Sequence, residues 1–165
     1  MIVFLDTEFT DFIDSDLISI GMVSEDGKYE FYAERNDFQA VWCSEFVKAS
    51  VLPFLGQNSA LVCDSDELKR RLWQWFASLP RSVQLAADSE RDKSLLWRAF
   101  GDGLPPNLEP SLFDLRPLID TTVFHHAVCQ YHELVGCPWH HAGHDAHAHR
   151  AGWLAWMDQR NDCLS

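Results

Sequence analysis

Residues 4–10, with the sequence FLDTEFT, constrain the fold more than any other part of the chain. Side chains alternate along an extended strand, so Asp6 and Glu8 share one face while Thr7 lies on the other. A strand that is apolar on both faces is typical of the middle of a sheet, and carboxylates buried there need a partner or a metal ion to stay charged. The segment therefore predicts a central strand that ends in an acidic pair, with an ordinary acidic turn as the alternative.

The rest of the chain alternates between strand-like and helix-like patterns. Asp26-Gly27 predicts a hairpin between the second and third strands. Strands are expected at about 17–23, 29–33, 83–87 and 112–119, and helices at 37–55 (irregular), 64–79, 95–100, 122–134 and within 140–157, with a loop at 101–110. This order predicts an α/β fold, a mixed sheet of about five strands flanked by helices.

Length, charge and cysteine content restrict the class of protein. A chain of 165 residues that is 47% apolar fits one domain, residues 1–165. No apolar run is long enough to cross a membrane and no signal peptide is evident, which favours a cytoplasmic protein without membrane contact. The net charge of −12 argues against a broad basic surface for long nucleic acids. Unpaired spacing predicts reduced cysteines at Cys43, Cys63, Cys129, Cys137 and Cys163.

Four acids are expected to meet at one edge of the sheet. Asp6 and Glu8 end the first strand, Asp92 lies where the fourth strand leads into its helix, and Asp145 opens the last helix. Catalytic groups of open α/β sheets gather at strand ends and at the starts of the following helices. Two divalent ions about 3.5–4 Å apart would neutralise such a cluster, and oxygen ligands favour Mg²⁺ or Mn²⁺.

A histidine precedes the last of these acids by five residues. On a continuous helix His140 and Asp145 would point about 140° apart. If the helix begins only near residue 143, His140 lies on the preceding loop and can reach the metal ions. There it would accept the proton of an attacking water.

Three segments taken together are similar to a known family. FLDTE at 4–8, DSERDKSLL at 88–96 and HHAGHDA at 140–146 resemble the three motifs of the DEDDh 3'-5' exonucleases, a branch of the ribonuclease-H-like fold. The likeness is greatest to the small single-domain exoribonucleases of that branch. It implies a ribonuclease-H-like sheet. It also implies metal ligands at Asp6, Glu8, Asp92 and Asp145 and a general base at His140.

Two positions depart from the family's pattern. Asp88 stands where the family often has asparagine, which leaves Asp88 as an alternative to Asp92 as the second-motif ligand. Gly143 replaces the usual leucine, and we expect it to loosen the loop that carries His140 and to lower activity.

The resemblance also implies a substrate and a partner. It implies the 3' end of single-stranded RNA, or of DNA or a 3' overhang, from which nucleoside 5'-monophosphates are released. Thr7 and Phe9 would contact the terminal nucleotide, Phe9 by stacking on a base. A homodimer is expected on the same grounds.

Two other classes of function remain open. The chain is alternatively a catalytically inactive ribonuclease-H-like module that binds nucleic acid or protein, or a histidine-rich metal-binding protein. The second hypothesis places zinc at Cys137, His140 and His144. The other histidines of the C-terminal region are interpreted as solvated helix residues, namely His125, His126, His147 and His149.

Overall fold

The computed structural model describes residues 1–162, and these contain one mixed sheet of six strands. The strands are β1 (Ile2–Phe9), β2 (Leu17–Ser24), β3 (Glu30–Arg35), β4 (Val62–Cys63), β5 (Val83–Ala87) and β6 (Leu108–Asp114). Their spatial order is β4-β3-β2-β1-β5-β6. β2 is antiparallel to β1 and β3, while β5 is parallel to β1 and β6. The predicted central position of the first strand is therefore confirmed.

Six α-helices in the described part of the chain surround the sheet. They are α1 (Glu45–Ser50), α2 (Ser65–Ser78), α3 (Glu90–Phe100), α4 (Arg116–Ile119), α5 (Thr122–Val135) and α6 (Ala142–Asp162). Short 3-10 turns at 40–42 and 52–54 flank α1, so the region predicted as one irregular helix is divided into three pieces. The α/β class is confirmed, and the architecture is compatible with a ribonuclease-H-like fold.

Each face of β1 is covered by a different pair of helices. Val3 and Leu5 are fully buried against apolar side chains of α2 and α3. Phe4, on the opposite face, packs with Phe124 of α5 and Ala146 of α6. The alternation expected for this strand thus directs Asp6 and Glu8 toward the side covered by α5 and α6.

Two details of the sheet differ from the prediction. The sixth strand, β4, has only two residues paired with β3, too few to leave a sequence pattern. The last strand runs over 108–114 rather than 112–119, so it begins inside the predicted loop. Pro110 is tolerated because β6 is an edge strand, and Pro117 lies in the first turn of α4, where its missing N–H is not needed.

The cysteines and the helix lengths of the described residues agree with the predictions. Cys43, Cys63, Cys129 and Cys137 are free thiols, and Cys163 lies outside the described residues. Within residues 1–162, none of the helices is both long and apolar enough to cross a bilayer.

Candidate functional site

A glycine in β2 brings the last helix to the end of β1. Gly21 pairs with Asp6 in the β1–β2 register. A Cβ atom at Gly21 would overlap the backbone carbonyl of Ala142, the first residue of α6. The start of α6 therefore rests directly on the strand backbone beside Asp6. This role of Gly21 was not predicted, although a glycine within a strand pattern is a known sign of close backbone approach.

Asp145 lies in the first turn of α6 and accepts a hydrogen bond on one carboxylate oxygen. The backbone N–H of His141 donates to its Oδ2 at 3.2 Å, and its Oδ1 lies 3.2 Å from Nε2 of His132 in α5. His132 is buried and stacks on Trp139 with ring centroids 3.9 Å apart. His132 was not predicted as part of the site, and its buried Nε2 lies beside the Asp145 carboxylate without a hydrogen bond among the described residues.

His140 lies on the loop before α6, because the helix begins at Ala142. Ligand atoms of Glu8, His140 and Asp145 all lie within 4.8 Å of one another. His140 is exposed and has φ 61°, a left-handed backbone conformation that is uncommon outside glycine. Its ring meets Phe46 edge-on with centroids 4.8 Å apart. The structure thus places His140 beside the acids as predicted, and its role as a base stays a prediction.

Asp92 approaches the acids from the opposite face of the sheet. It is buried in the first turn of α3, and the hydroxyl of Thr7 donates to its Oδ1 at 2.6 Å. Thr7 is itself buried, so its hydroxyl holds this carboxylate in place. A contact between Thr7 and substrate stays a prediction.

Asp88, the alternative ligand of the second motif, is also close to the first strand. Ligand atoms of Asp6, Asp88 and His149 lie within 4.8 Å of one another. Within residues 1–162, Asp92 belongs to neither group of three close ligand atoms. The geometry therefore leaves Asp88 beside Asp92 as a candidate ligand.

The acids at this site share a strong tendency to keep their protons. Burial raises the pKa of Asp6 well above its usual value, and the charges of Asp92, Asp145, Glu8 and Asp88 add to this. Burial and the charges of Asp145 and Asp92 raise the pKa of Glu8 to about 8. Burial likewise raises the pKa of Asp92 to about 7, against the hydrogen bond from Thr7, and the pKa of Asp145 to about 7, against backbone hydrogen bonds.

These residues fit divalent cations. Most of the donors are carboxylate oxygens, which suit Mg²⁺ or Mn²⁺. The acids repel one another in a partly buried space, and a cation bound among them would remove that repulsion. The raised pKa values thus indicate that these carboxylates are stabilised either by bound protons or by bound metal ions.

Gly143 makes room for a packed pair of rings next to the His140 loop. Tyr32 of β3 stacks on His141 with centroids 4.6 Å apart and an interplanar angle of 17°. A Cβ atom at Gly143 would lie 3.1 Å from the Tyr32 ring and 3.2 Å from the His141 ring. The replacement of leucine by glycine at this position therefore accommodates the stacked pair, and its predicted effect on activity stays a prediction.

Phe9 lies at a partly exposed aromatic edge. Its ring meets that of exposed Phe12 at a centroid distance of 5.3 Å, and the Arg91 guanidinium lies 5.4 Å and 5.1 Å from the two rings. Arg91 belongs to α3, one residue before Asp92. This aromatic and cationic edge borders the acids. The stacking role of Phe9 stays a prediction.

The histidines of the C-terminal region fall into two groups. His125 and His126 are exposed, as predicted. The interpretation of His149 as solvated was wrong, because its side chain is only 12% exposed and burial lowers its pKa. In the described part of the chain, the predicted zinc set of Cys137, His140 and His144 is not among the groups of close ligand atoms.

Comparison with known proteins leaves the family unassigned. No family model matches the sequence, and no curated protein is significantly similar to it.

Proposed function

We propose that the protein is a metal-dependent 3'-5' exonuclease that releases nucleoside 5'-monophosphates, with RNA ahead of DNA or a 3' overhang as substrate. The observation that carries this proposal is the meeting of acids from β1, α3 and α6 around Asp6, with His140 beside Glu8 and Asp145. A structural ion pair needs opposite charges, whereas this cluster combines like charges. Resemblance of the three motifs to DEDDh exonucleases supports the choice of reaction.

Each acid has a place in this proposal. Asp6, Glu8, Asp92 and Asp145 would hold two Mg²⁺ or Mn²⁺ ions. Bound ions of this kind lower the pKa of a coordinated water and stabilise negative charge on a phosphodiester. Thr7 fixes one carboxylate of the set, since its hydroxyl is bonded to Asp92. The backbone N–H of His141 fixes the carboxylate of Asp145.

His140 is placed to move the proton. Its exposed loop position allows the imidazole to reach a water that approaches from solvent, and its ligand atom lies within 4.8 Å of those of Glu8 and Asp145. His140 accepts the proton of that water as the water oxygen attacks the terminal phosphorus. The bond from that phosphorus to the 3' oxygen of the preceding nucleotide breaks, and this oxygen takes up a proton from solvent. The products are a nucleoside 5'-monophosphate and a strand shortened by one residue.

Overall charge and local surface suit a strand end better than a long duplex. A net charge of −12 repels extended phosphate backbones away from the site. The edge formed by Phe9, Phe12 and Arg91 offers rings and one cation for the last bases.

We also propose, from the resemblance, a homodimer that acts in the cytoplasm. A monomer mass by light scattering at micromolar concentration would end the dimer proposal.

A direct test uses end-labelled oligonucleotides of matched RNA and DNA sequence with added Mg²⁺ or Mn²⁺. A 5'-labelled RNA should shorten stepwise, and thin-layer chromatography should identify nucleoside 5'-monophosphates. Asp145→Asn should remove this activity, while Asp158→Asn, at an exposed position of the same helix, should retain it. If both variants keep the activity, the proposal is refuted. Equal or faster cleavage of DNA would refute the preference for RNA.

A further inference from the structure

Three ligand atoms from three elements meet on one side of Asp6. Asp6 lies in β1, Asp88 directly follows β5, and His149 belongs to α6. Their ligand atoms lie within 4.8 Å of one another. The resemblance to the exonucleases gives no role to His149, and it gives Asp88 only as an alternative to Asp92.

The histidine of this group lacks the partners that a buried imidazole needs. Its Nδ1 is buried without a hydrogen-bond partner among residues 1–162. Its Nε2 lies 3.9 Å from Oδ2 of Asp88, which is beyond hydrogen-bond distance. A buried polar atom without a partner is unfavourable, and such atoms are rare in native proteins. Nε2 is thus the imidazole nitrogen that faces Asp88, and 3.9 Å is a separation that two ligand atoms of one shared ion can have.

Helix geometry explains how His149 reaches the acids. His149 follows Asp145 by four residues in α6, so the two side chains lie on the same face, one turn apart. Both therefore point toward the sheet and its carboxylates. Asp88 enters from the neighbouring β5, and its spacing from Asp6 is set by the parallel pairing of β1 and β5.

We propose that Asp6, Asp88 and His149 bind one first-row transition-metal ion through two carboxylates and one imidazole, and that the site selects Mn²⁺ over Mg²⁺. Imidazole is a common ligand of first-row transition ions, whereas Mg²⁺ prefers oxygen and gives up its waters reluctantly. The inference rests on the proposed function in one respect, because Asp6 is shared with the catalytic acids. It gives Asp88 a ligand role in addition to the role of Asp92.

The test measures the metal ligand itself rather than activity. Pulsed electron paramagnetic resonance of bound Mn²⁺ detects coupling to a directly coordinated nitrogen. We expect this coupling in the wild-type protein and in His140→Ala, and its loss in His149→Gln. In the unmutated chain, ¹⁵N-histidine should change the nitrogen coupling, because the ¹⁴N and ¹⁵N nuclei have different spins. This change tests for histidine ligation without any substitution.

Calorimetric titration provides the second readout. His149→Gln should weaken Mn²⁺ binding by roughly 10–100-fold and Mg²⁺ binding much less, since only the transition ion gains from the nitrogen. His147→Gln is the matched control on the same helix, because His147 faces Glu30 and Tyr131 instead of the acids. Its Mn²⁺ affinity should equal that of the wild type.

The outcomes separate this inference from the exonuclease proposal. Mn²⁺ bound without nitrogen coupling, or coupling that is lost only in His140→Ala, would overturn the inference even if RNA is degraded. Nitrogen coupling that depends on His149, in a protein that degrades neither RNA nor DNA, would support the metal site and overturn the exonuclease.

Discussion

Replacement of Glu8 by glutamine should stabilise the metal-free protein, and the effect should grow with pH. Burial and the charges of Asp145 and Asp92 raise the pKa of Glu8 from 4.5 to about 8. Between these two values the folded wild type keeps a proton on Glu8 that the unfolded chain has already lost. The unfolded state then binds fewer protons, so the stability of the wild type falls as pH rises through this window. The glutamine side chain has no such dependence.

The size of the effect follows from the width of the window. One pKa unit corresponds to about 1.4 kcal/mol, so the advantage of Glu8→Gln should grow by roughly 3 kcal/mol between about pH 5 and pH 7.5. For a chain of this size that equals roughly 6–12 °C in melting temperature. Both proteins contain the same histidines, whose titration therefore largely cancels in the difference.

Thermal unfolding in EDTA, recorded for both proteins across this pH range, measures the effect. Excess Mn²⁺ should shrink or reverse the advantage of Glu8→Gln, because the charged glutamate then holds a cation. Glu109→Gln, at an exposed position of β6, is the control and should show no comparable trend. An advantage that stays constant or decreases from pH 5 to pH 7.5 would refute the view that burial and neighbouring charges raise the pKa of Glu8.

Four further substitutions test other parts of the site. His140→Ala should slow RNA cleavage by on the order of 10²–10⁴ while Mn²⁺ binding persists in calorimetry, and near-normal turnover would exclude it as the base. Asp92→Asn should abolish cleavage and Asp88→Asn should mainly weaken Mn²⁺ binding; an active Asp92→Asn with an inactive Asp88→Asn would reassign the catalytic ligand. Gly21→Ala should lower the free energy of unfolding by roughly 1–3 kcal/mol in denaturant titration, because the new methyl group displaces the start of α6 at Ala142. Unchanged stability there would contradict the close contact of α6 with β2.

Local sequence patterns predicted much of the framework. The two apolar faces of β1 required a central strand, and the Asp26-Gly27 turn was consistent with the β2–β3 hairpin that the structure contains. The helix predicted at 64–79 also formed, with Asp64 as its N-cap, since the Asp64 side chain accepts from the backbone N–H of Glu67 at the start of α2. These features depend on neighbours in the chain, so the residues themselves carry the information.

Element ends were less predictable where two tendencies compete. Pro110 and Pro117 both disfavour a central strand, and the sequence does not reveal that one would occupy an edge strand and the other a helix start. The two residues of β4 depend on the presence of β3 beside them. Tertiary contacts therefore determine where these elements begin and end.

For the candidate site, the sequence by itself determined which acids face the same side of β1 and that His140 precedes Asp145 by five residues, whereas the structure places His140 before the helix start at Ala142. Only the tertiary structure decided how these groups approach one another. The bare backbone at Gly21 lets α6 rest on β2, and this contact brings Asp145 and His149 toward Asp6. The hydroxyl of Thr7 orients Asp92 from another element, and the ring of His132 lies 3.2 Å from the Asp145 carboxylate. The physical reason is that sequence periodicity reflects short-range geometry and assigns a side chain to one face of its own element. The distance between two elements depends instead on every residue packed between them.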